Sequence, residues 1–152
     1  MLSYAAVTTI RFDDIKVGEE FVSPGRTVSE TDIVLFAGLS GDYNIVHTDA
    51  EFMKGSIFGE RIAHGLLGLA IQSGLLSRAM TPYATVAFGG LRWKFKAPIK
   101  IGDTIRVRAR VVSKHETKPD RGTVVLDRVV LNQRDEVVQE GDTELIIERR
   151  RS

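Results

Sequence analysis

The sequence predicts an α+β fold in which an antiparallel sheet wraps around one long buried helix. The first observation is the segment from Ile62 to Met80, which carries apolar residues on every side of a helix and is therefore typical of a buried helix. The second is a pair of stretches, 91–97 and 104–111, in which apolar and polar residues alternate with the period of two that strands show. A helix followed by a run of such strands is typical of an α+β layout.

Composition narrows the class of protein. The 152 residues are 43% hydrophobic and 27% charged, as in ordinary globular proteins, and we expect one domain over residues 1–152. A net charge of +1 gives no reason to expect nucleic acid or a membrane as a partner. The chain has no cysteine, which excludes disulfides and a cysteine nucleophile and fits a reducing cytoplasm. We therefore predict a cytoplasmic protein without a membrane span.

The first forty residues are expected to lead into a catalytic loop. Residues 1–16 alternate weakly, which predicts a loosely packed lead-in, and Phe21 to Val28 should form a short strand. Ser29, with the acidic Asp32 three residues later, has the pattern of a capping box. This pattern predicts a helix from Thr31 to Leu39 that delivers the chain into the loop at 41–47.

The centre of the chain is expected to be helical. Residues 48–52 should form a short capped helix, and the long helix should follow from Ile62 to Met80. Glycine costs about 1 kcal/mol relative to alanine inside a helix, so Gly65, Gly68 and Gly74 need a compensating close approach of a sheet, a partner helix or a ligand.

The last sixty residues are expected to form the sheet. Strands are predicted over 86–99, 103–112, 123–131 and 137–147. On the first of them Leu91, Trp93 and Phe95 should face the core. The turn from Lys118 to Gly122 should place its glycine in the left-handed conformation. Residues 148–152 should be a frayed tail, because consecutive like charges repel.

The loop from Gly41 to His47 contains the chemistry. Asp42 and His47 lie five residues apart in a glycine-led, non-helical loop, where a carboxylate and an imidazole can converge on one water molecule. Such a pair can accept and return a proton near neutral pH. The alternative is that Asp42 and Asn44 only bond the backbone of a turn, which these residue types favour. Asn44 is interpreted as a brace for the loop in either case.

Several motifs together resemble the MaoC-like, R-specific enoyl-CoA hydratases, a family with the hot-dog fold. They are Gly41-Asp42-Tyr43-Asn44-Ile45-Val46-His47, Ile62-Ala63-His64-Gly65, Ser73-Gly74-Leu75, Leu91 to Ile99 and Gly102-Asp103-Thr104. The resemblance spans about Val17 to Glu148. Two positions depart from the family: Ile45 stands where proline is usual, and Ala70 where many members have serine.

The resemblance implies that Asp42 and His47 are catalytic and that the Gly65 N–H is an oxyanion donor. The reaction is hydration of a trans-2-enoyl thioester or the reverse dehydration. A helix-terminal N–H suits this task, since it has no helical partner and the helix dipole favours negative charge. The alternative for Gly65 is a glycine that only allows close helix packing.

The remaining predictions concern substrate and partners. The substrate-binding candidates are Asn44, His64, Gly89 and Gly90, the glycines as a bulge beside the pantetheine arm and His64 as a ligand contact or, preferably, a helix cap. Arg92, Lys94 and Lys96 could meet phosphates of coenzyme A or an acidic carrier protein, or form a solvated face. We expect no metal, because the three histidines are scattered, and no cofactor beyond the coenzyme A or acyl-carrier pantetheine of the substrate.

The family also implies a homodimer joined edge to edge through its sheets, with assembly into a higher homo-oligomer left open. Two alternative functions remain open at this level. One is an acyl-CoA thioesterase of the same fold, and the other is a non-catalytic acyl-binding or partner subunit, which the alanine at position 70 leaves open.

Overall fold

The computed structural model describes residues 8–150 and places four helices and six strands among them. A 3-10 helix at Phe12–Asp14 comes first. The helices are α1 (Glu30–Ser40), α2 (Ile45–Thr48), α3 (Ala50–Lys54) and α4 (Gly65–Ala79). The strands are β1 (Glu20–Val22), β2 (Arg26–Thr27), β3 (Thr85–Phe95), β4 (Thr104–Lys118), β5 (Arg121–Leu131) and β6 (Val137–Glu148).

The strands form one antiparallel sheet in the order β1-β4-β5-β6-β3, with β2 also paired to β4. One face of β4 is buried as predicted, because Ile105, Val107, Ala109 and Val111 are all inaccessible to solvent while their neighbours are charged. These side chains join those of α4 in a single apolar cluster. The predicted α+β arrangement of a sheet around a helix is confirmed.

The capping box at the start of α1 is confirmed. The Ser29 hydroxyl accepts a hydrogen bond from the Asp32 N–H, and the Asp32 carboxylate accepts one from the Ser29 N–H at 2.8 Å. Arg26 pairs with the same carboxylate. Burial alone raises the pKa of Asp32, but the bonds from Ser29 and the charge of Arg26 outweigh it and leave that pKa lowered.

This lowered pKa predicts a pH-dependent contribution to stability. Since the folded pKa lies below the unfolded one, the contribution is present above the unfolded pKa of about 4 and is lost as the pH falls through the folded value. We expect Asp32→Ala to lower the free energy of unfolding at pH 7 by about 1 kcal/mol, and the deficit to shrink below pH 4. Urea unfolding at several pH values, with the exposed Thr31→Ala as control, measures this. A deficit that stays constant to pH 2 would contradict it.

Helix α4 is shorter and more exposed than its sequence predicts. It begins at Gly65, not Ile62, and its Leu66 is 60% exposed. Leu67, Ile71 and Leu75 cover one face and pack on the sheet, whereas Ala70 and Gly74 lie on an open face of this single chain. The prediction that every side of the helix is buried is therefore wrong for the chain alone. No helix within residues 8–150 is long and apolar enough to cross a bilayer.

The glycines of α4 have different surroundings. A Cβ on Gly68 would lie 2.4 Å from Gln139 Nε2 and 2.6 Å from Ile99 Cδ1, so here the predicted close approach of the sheet is confirmed. A Cβ on Gly65 would lie 2.9 Å from the Phe95 ring, whereas one on Gly74 would meet no atom of residues 8–150 within 4 Å. Contacts among the described residues therefore require glycine at positions 65 and 68 and not at position 74.

Both chain ends pack more tightly than predicted. Phe12 and Ile15 are buried in the core, so the part of the lead-in that the structure describes is not loose. Glu148 belongs to β6, and Arg149 pairs with Glu116 at 2.7 Å while Arg150 pairs with Asp14. The frayed tail is therefore wrong for residues 148–150, because acidic partners neutralise the arginines. Residues 1–7, 151 and 152 lie outside the described part.

Two predictions about the sheet also need correction. Gly122 has no positive φ; it lies against Phe12, whose ring would be 2.3 Å from an added Cβ. The glycine is needed for packing and not for a left-handed turn. On β3, Leu91 and Phe95 are exposed rather than buried, because this strand forms the edge of the sheet.

Candidate active site

The loop after α1 holds Asp42 through local hydrogen bonds. Gly41 ends the helix in the left-handed conformation, with a φ of 74°, which glycine adopts without strain. The Asp42 carboxylate then accepts a hydrogen bond from the Asn44 N–H at 3.2 Å. Asn44 accepts one from the Val46 N–H and caps α2, which confirms its role as a brace. Asp42 itself is exposed and can reach a substrate.

His47 lies on the single turn of α2 with one ring nitrogen committed. Its Nδ1 is 2.8 Å from the carbonyl oxygen of Ile62. Because a carbonyl can only accept, Nδ1 bears the hydrogen, and Nε2 of the neutral ring keeps a free lone pair. His47 is therefore held in the tautomer that a general base needs.

The buried His64 contacts both Asp42 and His47. Its Nε2 donates to the backbone carbonyl of Asp42 at 2.9 Å, and its ring stacks on His47 with centroids 3.8 Å apart. Phe36 packs on its other side, at 5.0 Å. Although His64 occupies the N-cap position of α4, its side chain makes no capping bond, so the predicted cap is wrong. The ring instead fixes the positions of Asp42 and His47 relative to each other.

The structure brings together three groups that lie up to 22 residues apart in the sequence. Ligand-type atoms of Asp42, His47 and His64 lie within 4.8 Å of one another, so the scattered positions of the histidines do not exclude a metal here. One nitrogen of each ring is committed to a backbone carbonyl, Nδ1 of His47 to that of Ile62 and Nε2 of His64 to that of Asp42. The absence of a metal stays a prediction.

Gly65 opens α4 beside this cluster. Within residues 8–150 its N–H has no hydrogen-bond acceptor, as expected for the first turn of a helix. Its carbonyl accepts a bond from Gln139 Nε2 at 2.9 Å, and Gln139 Oε1 accepts one from the Trp93 indole. Sequence analysis missed Gln139, because a glutamine on an alternating strand gives no sign that it is buried against a helix terminus.

A cavity of about 560 Å³ reaches these groups, and we call it the His47 cavity. His47 and Gly65 line it together with apolar side chains from the segment before α4 and from the end of β3, including Phe58, Ile62 and Phe95. Its volume lies in the range of small-molecule sites, and its lining of apolar groups with few polar ones is typical of them. A ligand in it would contact His47 and Gly65 together.

The residues on and next to β3 that were predicted to contact substrate differ in whether they line the His47 cavity. Gly89 and Gly90 form the predicted bulge, seen as a register shift against β6, but neither lines the His47 cavity, and their substrate contact stays a prediction. Arg92 and Lys94 lie on β3 and do not line this cavity, whereas Lys96, the residue after the strand, does.

Two further positions lie away from the His47 cavity. Arg92 pairs with Asp142 at 3.2 Å on the other face of β3. Ala70 lines a different groove, between α1 and α4. The serine hydroxyl that many family members have at this position is therefore not a loss to the His47 cavity.

Residues 14–133 match the family described as MaoC like domain. The chain is 40% identical over 100 residues to the (R)-specific enoyl-CoA hydratase of Rhodospirillum rubrum, a match that covers 66% of this chain and 68% of that protein. It is 38% identical over 112 residues to Protein MaoC of Klebsiella aerogenes, covering 72% of this chain and 33% of that one. The chain thus spans about a third of the longer relative.

Solved structures agree with the arrangement of helix and sheet. The MaoC-like dehydratase from Rhodospirillum rubrum superposes with a TM-score of 0.83 at 31% identity, covering 94% of this chain and 99% of that one. A Mycobacterium tuberculosis protein described as a double hot-dog fold gives a TM-score of 0.78 at 21% identity, covering 93% of this chain and 45% of that one. The fold is the hot-dog fold.

Proposed function

The chain belongs to the MaoC-like domain family, and from that premise we propose that it is a hydro-lyase that adds water to trans-2-enoyl thioesters or removes it from (R)-3-hydroxyacyl thioesters. The observation on which this rests is the free Nε2 of His47, held next to the Asp42 carboxylate at the mouth of an apolar cavity. The substrate class and the R configuration follow the names of the relatives.

The proposed reaction begins with a water molecule bound between Asp42 and His47. Because Nδ1 of His47 is committed to the Ile62 carbonyl, Nε2 takes the proton from this water. The water oxygen bonds to the β-carbon of the enoyl thioester, and the electron pair of the double bond moves to the α-carbon and thioester oxygen. Asp42 and His47 then return one proton to the α-carbon, so both residues end in their starting state.

Negative charge on the thioester oxygen needs a donor during this step. The Gly65 N–H has no acceptor within the described residues and opens a fifteen-residue helix, so it can bind that oxygen with support from the helix dipole. This N–H shares its peptide plane with the His64 carbonyl, which accepts hydrogen bonds from the Leu67 and Gly68 N–H groups at 3.0 and 3.2 Å. We infer that these bonds fix the direction of the N–H before substrate arrives.

A matched pair of variants tests the Gly65 N–H. Proline is tolerated at the first position of a helix, and His64 already has the extended conformation, with ψ of 135°, that a following proline requires. Both Gly65→Ala and Gly65→Pro add a Cβ that would lie 2.9 Å from the Phe95 ring. We expect kcat of the proline variant to fall about 100-fold below that of the alanine variant, because only proline removes the donor. Equal rates would contradict the oxyanion role.

The proposed substrate carries its own pantetheine, as a coenzyme A or acyl-carrier-protein thioester, and no further cofactor or metal takes part. Lys96 at the His47 cavity is the cation placed to meet a phosphate of the carrier. The proposal also locates the reaction in the cytoplasm, consistent with a chain that has no cysteine.

We further infer a homodimer joined through β3. This strand lies at the edge of the sheet and exposes Val86, Phe88, Leu91 and Phe95, and an exposed apolar edge strand is a template for pairing with another strand. Light scattering should give a mass of at least twice the 16.8 kDa of one chain. A monomeric mass at micromolar concentration would contradict this.

Product analysis separates the proposed reaction from its two alternatives. After incubation with trans-2-butenoyl-CoA, mass spectrometry should find the thioester increased by one water. Free coenzyme A, formed also from butanoyl-CoA, would instead show a thioesterase. Binding of the enoyl thioester without any product would show a non-catalytic acyl-binding subunit. Only the first result agrees with the roles given to Asp42 and His47.

A further inference from the structure

A second cavity, of about 290 Å³, lies beside the C-terminal half of α4, and we call it the Arg128 cavity. Its walls are largely apolar and come from α4, β3 and β6, with Leu76, Met80, Phe88 and Leu145 among them. Tyr83 and Arg128 also line it, together with three side chains that bear hydroxyl groups, Ser73, Ser77 and Thr85. None of these five has a role in the proposed hydration.

Arg128 is a buried cation without a counter-ion. It lies on β5 and is only 4% exposed. Its Nε has no hydrogen-bond partner, and across residues 8–150 no carboxylate lies within 4.0 Å of its guanidinium. Burial lowers the pKa of Arg128 to about 10, so the side chain is still protonated at pH 7. A buried charge is expected to be paired or hydrogen-bonded, and here the missing partner must come from outside the described chain.

Tyr83 lines the same cavity as an uncharged wall. Its hydroxyl is buried and makes no hydrogen bond within the described residues. Burial first, and the nearby charge of Glu19 second, raise the pKa of Tyr83. The phenol therefore keeps its hydrogen at neutral pH and adds no negative charge to the cavity.

The cavity favours an anion in other ways as well. None of its lining residues is acidic, and the side chains other than Arg128 are apolar or bear hydroxyl groups. A guanidinium matches a planar carboxylate with two parallel hydrogen bonds. A phosphate dianion would need more donors than one guanidinium, and the apolar walls would not solvate its remaining charge.

We propose that the Arg128 cavity binds a carboxylate group, with the Arg128 guanidinium as the donor. Two sources have this chemistry. One is an acyl chain that ends in a carboxylate, which rests on the proposed function. The two cavities share α4, and the twelve residue steps from Gly65 to Ser77 span about 18 Å. The other source is a small free carboxylate that binds as an effector.

Calorimetric titration of the whole protein with glutarate tests the site without any need for turnover. We expect saturable binding to wild type and a dissociation constant at least about tenfold higher for Arg128→Gln. Arg108→Gln is the matched control, since Arg108 is exposed on the adjacent strand and forms no ion pair among the described side chains. Arg128→Lys keeps a cation but offers no pair of parallel donors, so it decides the question if the glutamine variant does not fold: glutarate should bind it more weakly than wild type.

Two substrates that differ only in a terminal carboxylate identify where the bound carboxylate comes from. If the carboxylate belongs to the acyl chain, wild type should hydrate trans-2-hexadecenedioyl-CoA, whose extended chain is long enough to reach from one cavity to the other, with higher kcat/KM than trans-2-hexadecenoyl-CoA, and Arg128→Gln should abolish or reverse that preference. Arg128-dependent glutarate binding without such a preference would identify a free carboxylate. If neither substrate is hydrated, the proposed function fails and the titration alone decides the present proposal. Absence of both glutarate binding and substrate preference overturns it.

Discussion

Asp42→Asn and His47→Gln should each reduce hydration of a trans-2-enoyl-CoA by about 100- to 10,000-fold, the range for loss of a general acid–base group. The first variant would keep the loop hydrogen bond to the Asn44 N–H but lose the charge of the carboxylate. The glutamine amide of the second has no basic nitrogen and lies one bond further from Cβ than Nδ1 does, so the general base and the bond to the Ile62 carbonyl are both lost. The rate should therefore fall while the fold is retained. Initial rates from the loss of enoyl-thioester absorbance measure the effect.

Matched controls exist for both variants. His115 is exposed on β4 and Asp120 on the turn before β5, both outside the His47 cavity. His115→Gln and Asp120→Asn should therefore retain the wild-type rate. Circular dichroism and thermal unfolding should show all four variants folded. Full activity in either Asp42→Asn or His47→Gln would remove that residue from the proposed mechanism.

Gly141→Ala should lower the free energy of unfolding by about 3 kcal/mol or more, at the upper end of what overpacking costs. Gly141 pairs with Trp93 across β6 and β3. An added Cβ would lie 2.0 Å from the Arg92 carbonyl oxygen and 2.9 Å from the Trp93 Cα. Since both are backbone atoms, the edge strand itself would have to move. Chemical denaturation with urea measures the loss.

The matched control is another glycine-to-alanine change. Gly74→Ala adds a methyl group where no atom lies within 4 Å, and in a helix the exchange should raise the free energy of unfolding by up to about 1 kcal/mol. Gly141→Ala should also weaken the proposed dimer, because that dimer uses β3. A Gly141→Ala protein as stable as wild type would mean that β3 and β6 are less closely paired than the structure shows.

The parts of the fold predicted from sequence were those set by local chemistry. The capping box of Ser29 and Asp32 lies within four residues, and the alternation from Ile105 to Val111 reports directly which face of β4 is buried. Asp42, His47 and Gly65 were identified through a family motif. The structure is consistent with their roles, since it places His47 and Gly65 on one cavity and Asp42 beside His47.

The parts that sequence did not predict depend on contacts between distant residues. The stack of His47 on His64 joins residues 17 positions apart, and no spacing rule indicates it. Phe12 is buried because Gly122, more than a hundred residues later, leaves room for its ring. Gln139 and Arg128 are polar residues on strands whose burial depends on what the sheet packs against. Such positions require the tertiary structure.

The most direct test of the central claim is the rate of dehydration of (R)- and (S)-3-hydroxybutyryl-CoA, followed by the appearance of enoyl-thioester absorbance. We expect wild type to dehydrate the R enantiomer and not the S enantiomer, and Asp42→Asn to dehydrate the R enantiomer at least about 100-fold more slowly than wild type. Equal rates on the two enantiomers, or undiminished activity of Asp42→Asn, would contradict a hydro-lyase built on Asp42 and His47.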